Sequence, residues 1–178
     1  MSLLKKFLAV GLSLSTLLSI MCMNSSADSS EIMRFGGENR SETSFETSTL
    51  PSMKKGQNIV IADGYSFADS LSAMNLANKY NAQLLLDSNF KVTNNQIESY
   101  LTLFSPKNLF LIGGKESKKY DKNKFKNTNI IHIYGKDRYE TNRKSLMAAG
   151  YKDIGVASGE NYADALSSYS LLKEKILE

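Results

Sequence analysis

From Asn58 onward, short continuous apolar runs alternate with longer stretches in which apolar residues recur three or four positions apart. Asn58–Ala62, Ala82–Leu86, Leu109–Ile112 and Asn129–Tyr134 are too short for helices and rich in aliphatic residues, so they read as strands. Phe67–Tyr80 carries Phe67, Leu71, Met74 and Ala77 on one helical face. Thr93–Phe104 does the same with Ile97, Leu101 and Phe104; Thr93 and Gln96 suit a capping box, and Pro106 stops the helix. Upstream, Arg40–Thr49 reads as a short helix capped by Asn39 or Ser41 and closed by Pro51. A lysine-rich helix is expected between the third and fourth strands. Further on, Arg138–Ala149 reads as a helix, Ile154–Ala157 as a strand and Tyr162–Leu177 as a helix. Strands that are apolar throughout, rather than at alternate positions, are buried on both faces. The expected fold class is therefore α/β, a mainly parallel sheet flanked by helices.

The same pattern occurs twice. Gly37-Glu38-Asn39-Arg40-Ser41-Glu42-Thr43 returns as Gly135-Lys136-Asp137-Arg138-Tyr139-Glu140-Thr141, 98 positions later. The block from Ile61 to Ser72 returns from Val156 to Ser167, 95 positions later, and keeps Gly64 as Gly159 and Asp69 as Asp164. Two ordered matches at nearly one offset indicate an internal repeat, and the period is long enough for each copy to be a small domain. The expected organisation is a signal peptide over 1–27, a short leader over 28–32, a first complete module over 33–133 and a truncated second module over 134–178.

Lys5 and Lys6, the uncharged run from Phe7 to Met23 and the small residues Ser25-Ser26-Ala27 carry the signal-peptide reading. The run is short and serine-rich for a membrane span. Cys22 is the sole cysteine, and the large Met21 before it argues against lipidation, so it falls in the discarded segment. The processed chain then holds no cysteine and no disulfide, with no membrane contact after cleavage. The net charge of +4 falls to +2 once Lys5 and Lys6 are removed. Lysines are concentrated at 107, 115, 118, 119, 122, 124 and 126, which is either a footprint for a polyanion or a solvated loop and helix.

Catalytic chemistry finds little material. His132 is the single histidine, lies in an apolar strand and reads as a strand residue with a satisfied hydrogen bond. Asp63 and Asp69 flank the turn after the first strand, but Asp63 becomes Ser158 in the repeat, so a carboxylate pair is not duplicated. Asp69 and Asp164 are duplicated in first helical turns, where a carboxylate offsets the helix dipole. Gly113-Gly114 follows a strand without a phosphate-loop pattern around it, and a tight turn with positive φ explains it. Arg40 and Arg138 each precede a glutamate by two residues, Glu42 and Glu140. They either lock the strand-to-helix junction or present a guanidinium to an anionic polymer. No metal or cofactor is expected.

These blocks resemble the cell-wall-binding repeat type 2 family of Gram-positive surface proteins. Gly135–Thr141 matches its opening block closely, Gly37–Thr43 with Ser41 for tyrosine, and Val156–Ser167 and Ile61–Ser72 match the next block. Ala82–Leu86 stands at its aliphatic strand with Gln83 for proline, and Leu111-Ile112-Gly113-Gly114 at its last block. The resemblance implies an exported, non-enzymatic module attached non-covalently to an anionic wall polymer, with other repeat modules or surface-layer proteins as further partners and no nucleic acid. The polymer-binding candidates are Arg40, Arg138, Lys115, Lys118, Lys119 and Lys122. The structural motif is Gly37, Glu42, Thr43, Gly64, Asp69, Gly113, Gly114, Gly135, Glu140, Thr141, Gly159 and Asp164. Two other readings stand beside this one: a truncated structural fragment with little binding of its own, and a wall-modifying hydrolase suggested only by export and scattered carboxylates.

Overall fold

The computed structural model describes residues 34–48, 57–87, 95–114, 120 and 122–168. The chain divides into two units, Met1–Arg34 and Phe35–Glu178, and the second holds every element of the fold described. These are α1 (Arg40–Ser48), β1 (Ile59–Asp63), α2 (Phe67–Lys79), β2 (Gln83–Asp87), α3 (Asn95–Phe104), β3 (Asn108–Ile112), β4 (Asn129–Ile133) and α4 (Arg138–Ala149). A short helical stretch covers residues 163–168.

The four strands form one parallel sheet in the order β2-β1-β3-β4. β1 lies inside it, between β2 and β3, and Ile59, Val60, Ile61 and Ala62 are fully buried, as an uninterrupted apolar run requires. Alternate residues point to opposite faces. Ile59, Ile61, Leu85, Leu109 and Leu111 pack with Ile97, Tyr100 and Leu101 of α3 on one face. Val60, Ala62, Phe110 and Ile112 pack with Ala73 and Leu76 of α2 on the other, where Ala149 of α4 joins them. The helix that opens the second repeat is thus built into the core of the first.

Small residues and specific polar contacts join α4 to α2. Ser145 Oγ donates to Ser72 O at 2.6 Å. Asn142 Nδ2 donates to Ser72 Oγ at 3.1 Å. The hydroxyls of Tyr80 and Tyr151 donate to Ala148 O and Asn75 O. Gly150, at φ 67°, ends α4 in the left-handed region, the usual glycine stop.

The lysine-rich helix expected after Gly113-Gly114 falls largely on residues 115–119 and 121, outside the described residues; residues 122–127 form turns and bends, and Tyr120 and Phe125 pack into the α3-side cluster. One expectation is corrected among the described residues. Ile154–Ala157 is not a strand of the sheet, because no partner lies beside it among the described residues. The remaining boundaries differ from expectation by one or two residues. Thr93, Thr49 and Pro51, and the helix beyond residue 168, lie outside the described residues.

Candidate functional site

Each repeat opens with a glycine-led loop that feeds a helix. In the first, Asn39 Oδ1 accepts the backbone N–H groups of Ser41 and Glu42, so Asn39 is the cap. Glu42 reaches back to accept Glu38 N–H at 2.9 Å and Asn39 Nδ2 at 3.0 Å. Gly37 N–H donates to Thr43 Oγ1 at 3.1 Å. The second repeat makes matching contacts. Asp137 Oδ1 accepts Glu140 N–H at 2.8 Å, Glu140 accepts Lys136 N–H at 2.9 Å, and Gly135 N–H donates to Thr141 Oγ1 at 2.9 Å. This is a variant of the capping box in which the N3 glutamate accepts the N–H one residue before the cap, with one added bond. The glycines are required by space: a Cβ on Gly37 would sit 2.2 Å from Glu42 Cβ, and one on Gly135 would sit 2.5 Å from Glu140 Cβ. The bonds from Lys136 N–H and Lys144 hold the Glu140 carboxyl below its ordinary range.

The arginines reach past the neighbouring glutamates to glycine carbonyls. Arg40 Nη1 donates to Gly64 O at 2.8 Å, and Arg138 Nη1 donates to Gly159 O at 2.8 Å. The two recurring blocks of each repeat are therefore tied by one bond, from the helix start to the carbonyl of the recurring glycine. Each guanidinium also lies near an aromatic face, Arg40 4.9 Å from the Tyr65 ring centre and Arg138 5.5 Å from that of Phe67. The sequence showed both members of each pair but not their connection, since Arg40 and Gly64 are 24 residues apart. The equal recurrence of both blocks was the available signal.

At the carboxyl end of the sheet, Gly113 and Gly114 have φ values of 84° and 63°, as the tight-turn reading requires. Asp69, in the first turn of α2, lies directly on Gly113: an added Cβ there would be 2.2 Å from Asp69 Oδ2. The switch point between β1 and β3, where open α/β sheets receive ligands, is thus filled by the protein's own carboxylate. Burial raises the Asp69 carboxyl above its ordinary value, against the Ser66 hydrogen bond. Ser66 Oγ accepts Asp69 N–H and caps α2. Asp164, the counterpart in the second repeat, is exposed.

His132 Nε2 lies 2.8 Å from Gly113 O, and its ring packs 4.7 Å from that of Tyr134. Asp63 Oδ1 accepts Tyr65 N–H at 2.9 Å. Asp87 is buried and accepts the Tyr120 hydroxyl at 2.8 Å. Burial, with the Asp87 charge, drives that hydroxyl far above its ordinary pKa, so it is a permanent donor. These groups hold turns and strand ends together. Among the described residues no cluster of His, Cys, Asp or Glu could hold a metal ion, and no helix is long and apolar enough to cross a membrane. Of the candidate lysines, Lys122 lies on an exposed turn, and Lys115, Lys118 and Lys119 lie outside the described residues.

A parallel α/β sheet whose opening helix and following glycine turn recur in a second copy, tied by the same arginine–carbonyl bond, defines a repeat module. Residues 34–121 and 132–177 match the family of cell wall binding domain 2 (CWB2), and the chain belongs to that family. It is 33% identical over 143 residues to the amidase enhancer of Bacillus subtilis (strain 168), covering 75% of this chain and 19% of that protein. It is 32% identical over 143 residues to the N-acetylmuramoyl-L-alanine amidase LytC of the same organism, covering 78% and 28%. The chain therefore spans less than a third of these relatives. Among solved structures it resembles Cwp6 from Clostridium difficile with a TM-score of 0.62 and 24% identity, over 85% of this chain and 26% of that one. The likeness to Cwp6 concerns the fold.

Proposed function

We propose that this chain is an exported, non-enzymatic wall anchor that attaches non-covalently to an anionic wall polymer. In this reading residues 1–27 direct export and are removed. Residues 33–133 and 134–178 are two repeats that face the polymer together, and surface-layer proteins are potential neighbours on the wall. The observation that carries the proposal is the pair of exposed arginines, Arg40 and Arg138, held in one geometry by equivalent glycine carbonyls. A guanidinium has five N–H donors in a fixed fork, and a single contact to a backbone carbonyl orients the rest toward a ligand. Repeated presentation of that fork suits a polymer with regularly spaced anionic groups. Lys115, Lys118, Lys119 and Lys122 would add positive charge. Non-enzymatic attachment is supported by the engagement of His132, Asp63 and Asp69 in backbone and capping contacts.

The test is cosedimentation with purified walls. Binding should be strong at low salt and released as ionic strength rises, because exposed charge attraction is screened. Retention on walls chemically stripped of anionic polymer would refute the anionic ligand. Release of reducing ends or free amines from the walls would refute the non-enzymatic reading.

A further inference from the structure

The two ends of the sheet differ in charge. The four strands are parallel, so their carboxyl ends lie on one side of the module and their amino ends on the other, about 16 Å apart for strands of five residues. At the carboxyl end Arg40 and Arg138 stand among carboxylates. Asp63 and Asp87 close β1 and β2, and Glu42 and Glu140 lie in the capping loops. At the amino end Lys79 occupies the last turn of α2, Lys107 directly precedes β3, and Lys126 lies three residues before β4. All three are exposed, and none pairs with a carboxylate among the described residues. Lys152 and Asp153, just past α4, offset each other. The lysine-rich stretch of the sequence is thereby divided: Lys124 pairs instead with Glu98, in the first turn of α3.

Between these lysines runs a chain of side-chain amides. Asn129 Nδ2 donates to Asn108 Oδ1 at 3.0 Å, Asn108 Nδ2 donates to Asn58 Oδ1 at 2.8 Å, and Asn58 Nδ2 donates to Tyr80 O at 3.0 Å. Asn129 and Asn108 open β4 and β3, and Asn58 precedes β1, so the chain crosses the amino end of the sheet and stops beside Lys79. It forms a polar, uncharged floor. The backbone around the lysines is held as well. Lys107 N–H donates to Gln57 O at 3.2 Å, and Lys107 O accepts Asn129 N–H at 3.0 Å. Thr128 N–H donates to the carbonyl of buried Phe125 at 3.0 Å, which fixes the turn that carries Lys126. Offsetting the negative end of a helix accounts for Lys79, but not for Lys126, which lies in that turn.

Resting on the reading that the ligand is an anionic polymer, we propose that the amino end of the sheet is a second polymer contact, with Lys107 and Lys126 as its charged residues and the asparagine chain as its floor. The arginines at the carboxyl end hold one stretch of polymer in a fixed geometry. The lysines attract another stretch, or a neighbouring strand, on the opposite side of the module. Two contacts on one rigid body raise avidity above that of either alone. Amides flank the lysines where a bilayer-binding surface would need an apolar face, so the site suits a hydrated polyanion and not a phospholipid surface.

The test compares Lys107→Gln/Lys126→Gln with Lys124→Gln/Arg143→Gln, which removes the same charge elsewhere on the surface. All four side chains are exposed, so both variants should keep the far-UV spectrum of the parent. Cosedimentation with purified walls is followed over a salt series. The first variant should bind at least about fivefold more weakly at low salt, with a log–log salt slope smaller by about two, and the second should stay within about twofold of the parent. Equal weakening of both variants makes net charge the cause and overturns the site, as does parental binding by the first. Long-chain polyphosphate, used as a soluble probe, separates this site from the wall reading. A parent that binds polyphosphate through these lysines but does not bind walls refutes the wall ligand and leaves the site standing. A loss confined to phosphatidylglycerol vesicles, with walls and polyphosphate bound as by the parent, overturns the polymer as partner.

Discussion

Arg40→Ala separates two roles that one side chain could hold. The substitution removes the Nη1 bond to Gly64 O, 2.8 Å long, and the guanidinium over the Tyr65 ring. A charge-assisted hydrogen bond is worth about 1.5–3 kcal/mol when desolvated, but Arg40 is exposed and solvent screening cuts this to about 1 kcal/mol. The exposed cation–aromatic contact adds about 0.5 kcal/mol. The turn at Gly64 is also held by Asp87 O, so it stays in place and the loss remains local. The sum is about 1.5 kcal/mol, which lowers the melting temperature by about 3–6 °C in a domain of this size. Circular dichroism melts read it directly. Arg40→Lys should recover part of the loss, since an ammonium reaches the carbonyl but lacks the planar fork. Arg138→Ala should leave the main transition within about 1 °C, because Gly159 belongs to a segment outside the sheet. A melting temperature for Arg40→Ala within about 1 °C of the parent, too small a shift for the bond strengths used, refutes the reasoning. If wall binding is then lost, the arginine serves the polymer alone.

Gly113→Ala should cost about 2–4 kcal/mol, from a φ of 84° and from a Cβ 2.2 Å from Asp69 Oδ2. Adding Asp69→Ala to the same chain should relieve the clash but not the backbone strain, a non-additivity that urea titrations of all three variants resolve. Tyr120→Phe removes a donor to buried Asp87 and should lower unfolding free energy by about 1–3 kcal/mol; an unchanged urea midpoint would show that Asp87 does not depend on it. Asp69 has a folded pKa above its unfolded value, so the native state binds the extra proton in the window just above the ordinary carboxylate pKa. Stability therefore falls as pH rises through that window, and Asp69→Asn should flatten the slope; parallel profiles for the two proteins would count against it.

The strands, the main helices and the duplication were legible in the residues, because each rests on local periodicity. Apolar runs such as Ile59–Ala62 are continuous only where both faces of a strand are covered. The glycine-led blocks were legible as a repeat, and the capping roles of Asn39 and Asp137 follow from helix-end chemistry. The partners across the chain were not. Arg40 read either as a lock on the junction beside Glu42 or as a guanidinium for a polymer, and only the fold brings a carbonyl 24 residues away within 2.8 Å of it. Asp69 read as a helix-dipole residue, and only the β1–β3 neighbourhood sets it on Gly113. The failed expectation has a physical cause. Ile154–Ala157 has strand composition, but secondary structure forms where a partner surface stabilises it, and no strand among the described residues lies beside that segment. Local sequence sets what a segment can become, and the burial available to it in three dimensions decides whether it does.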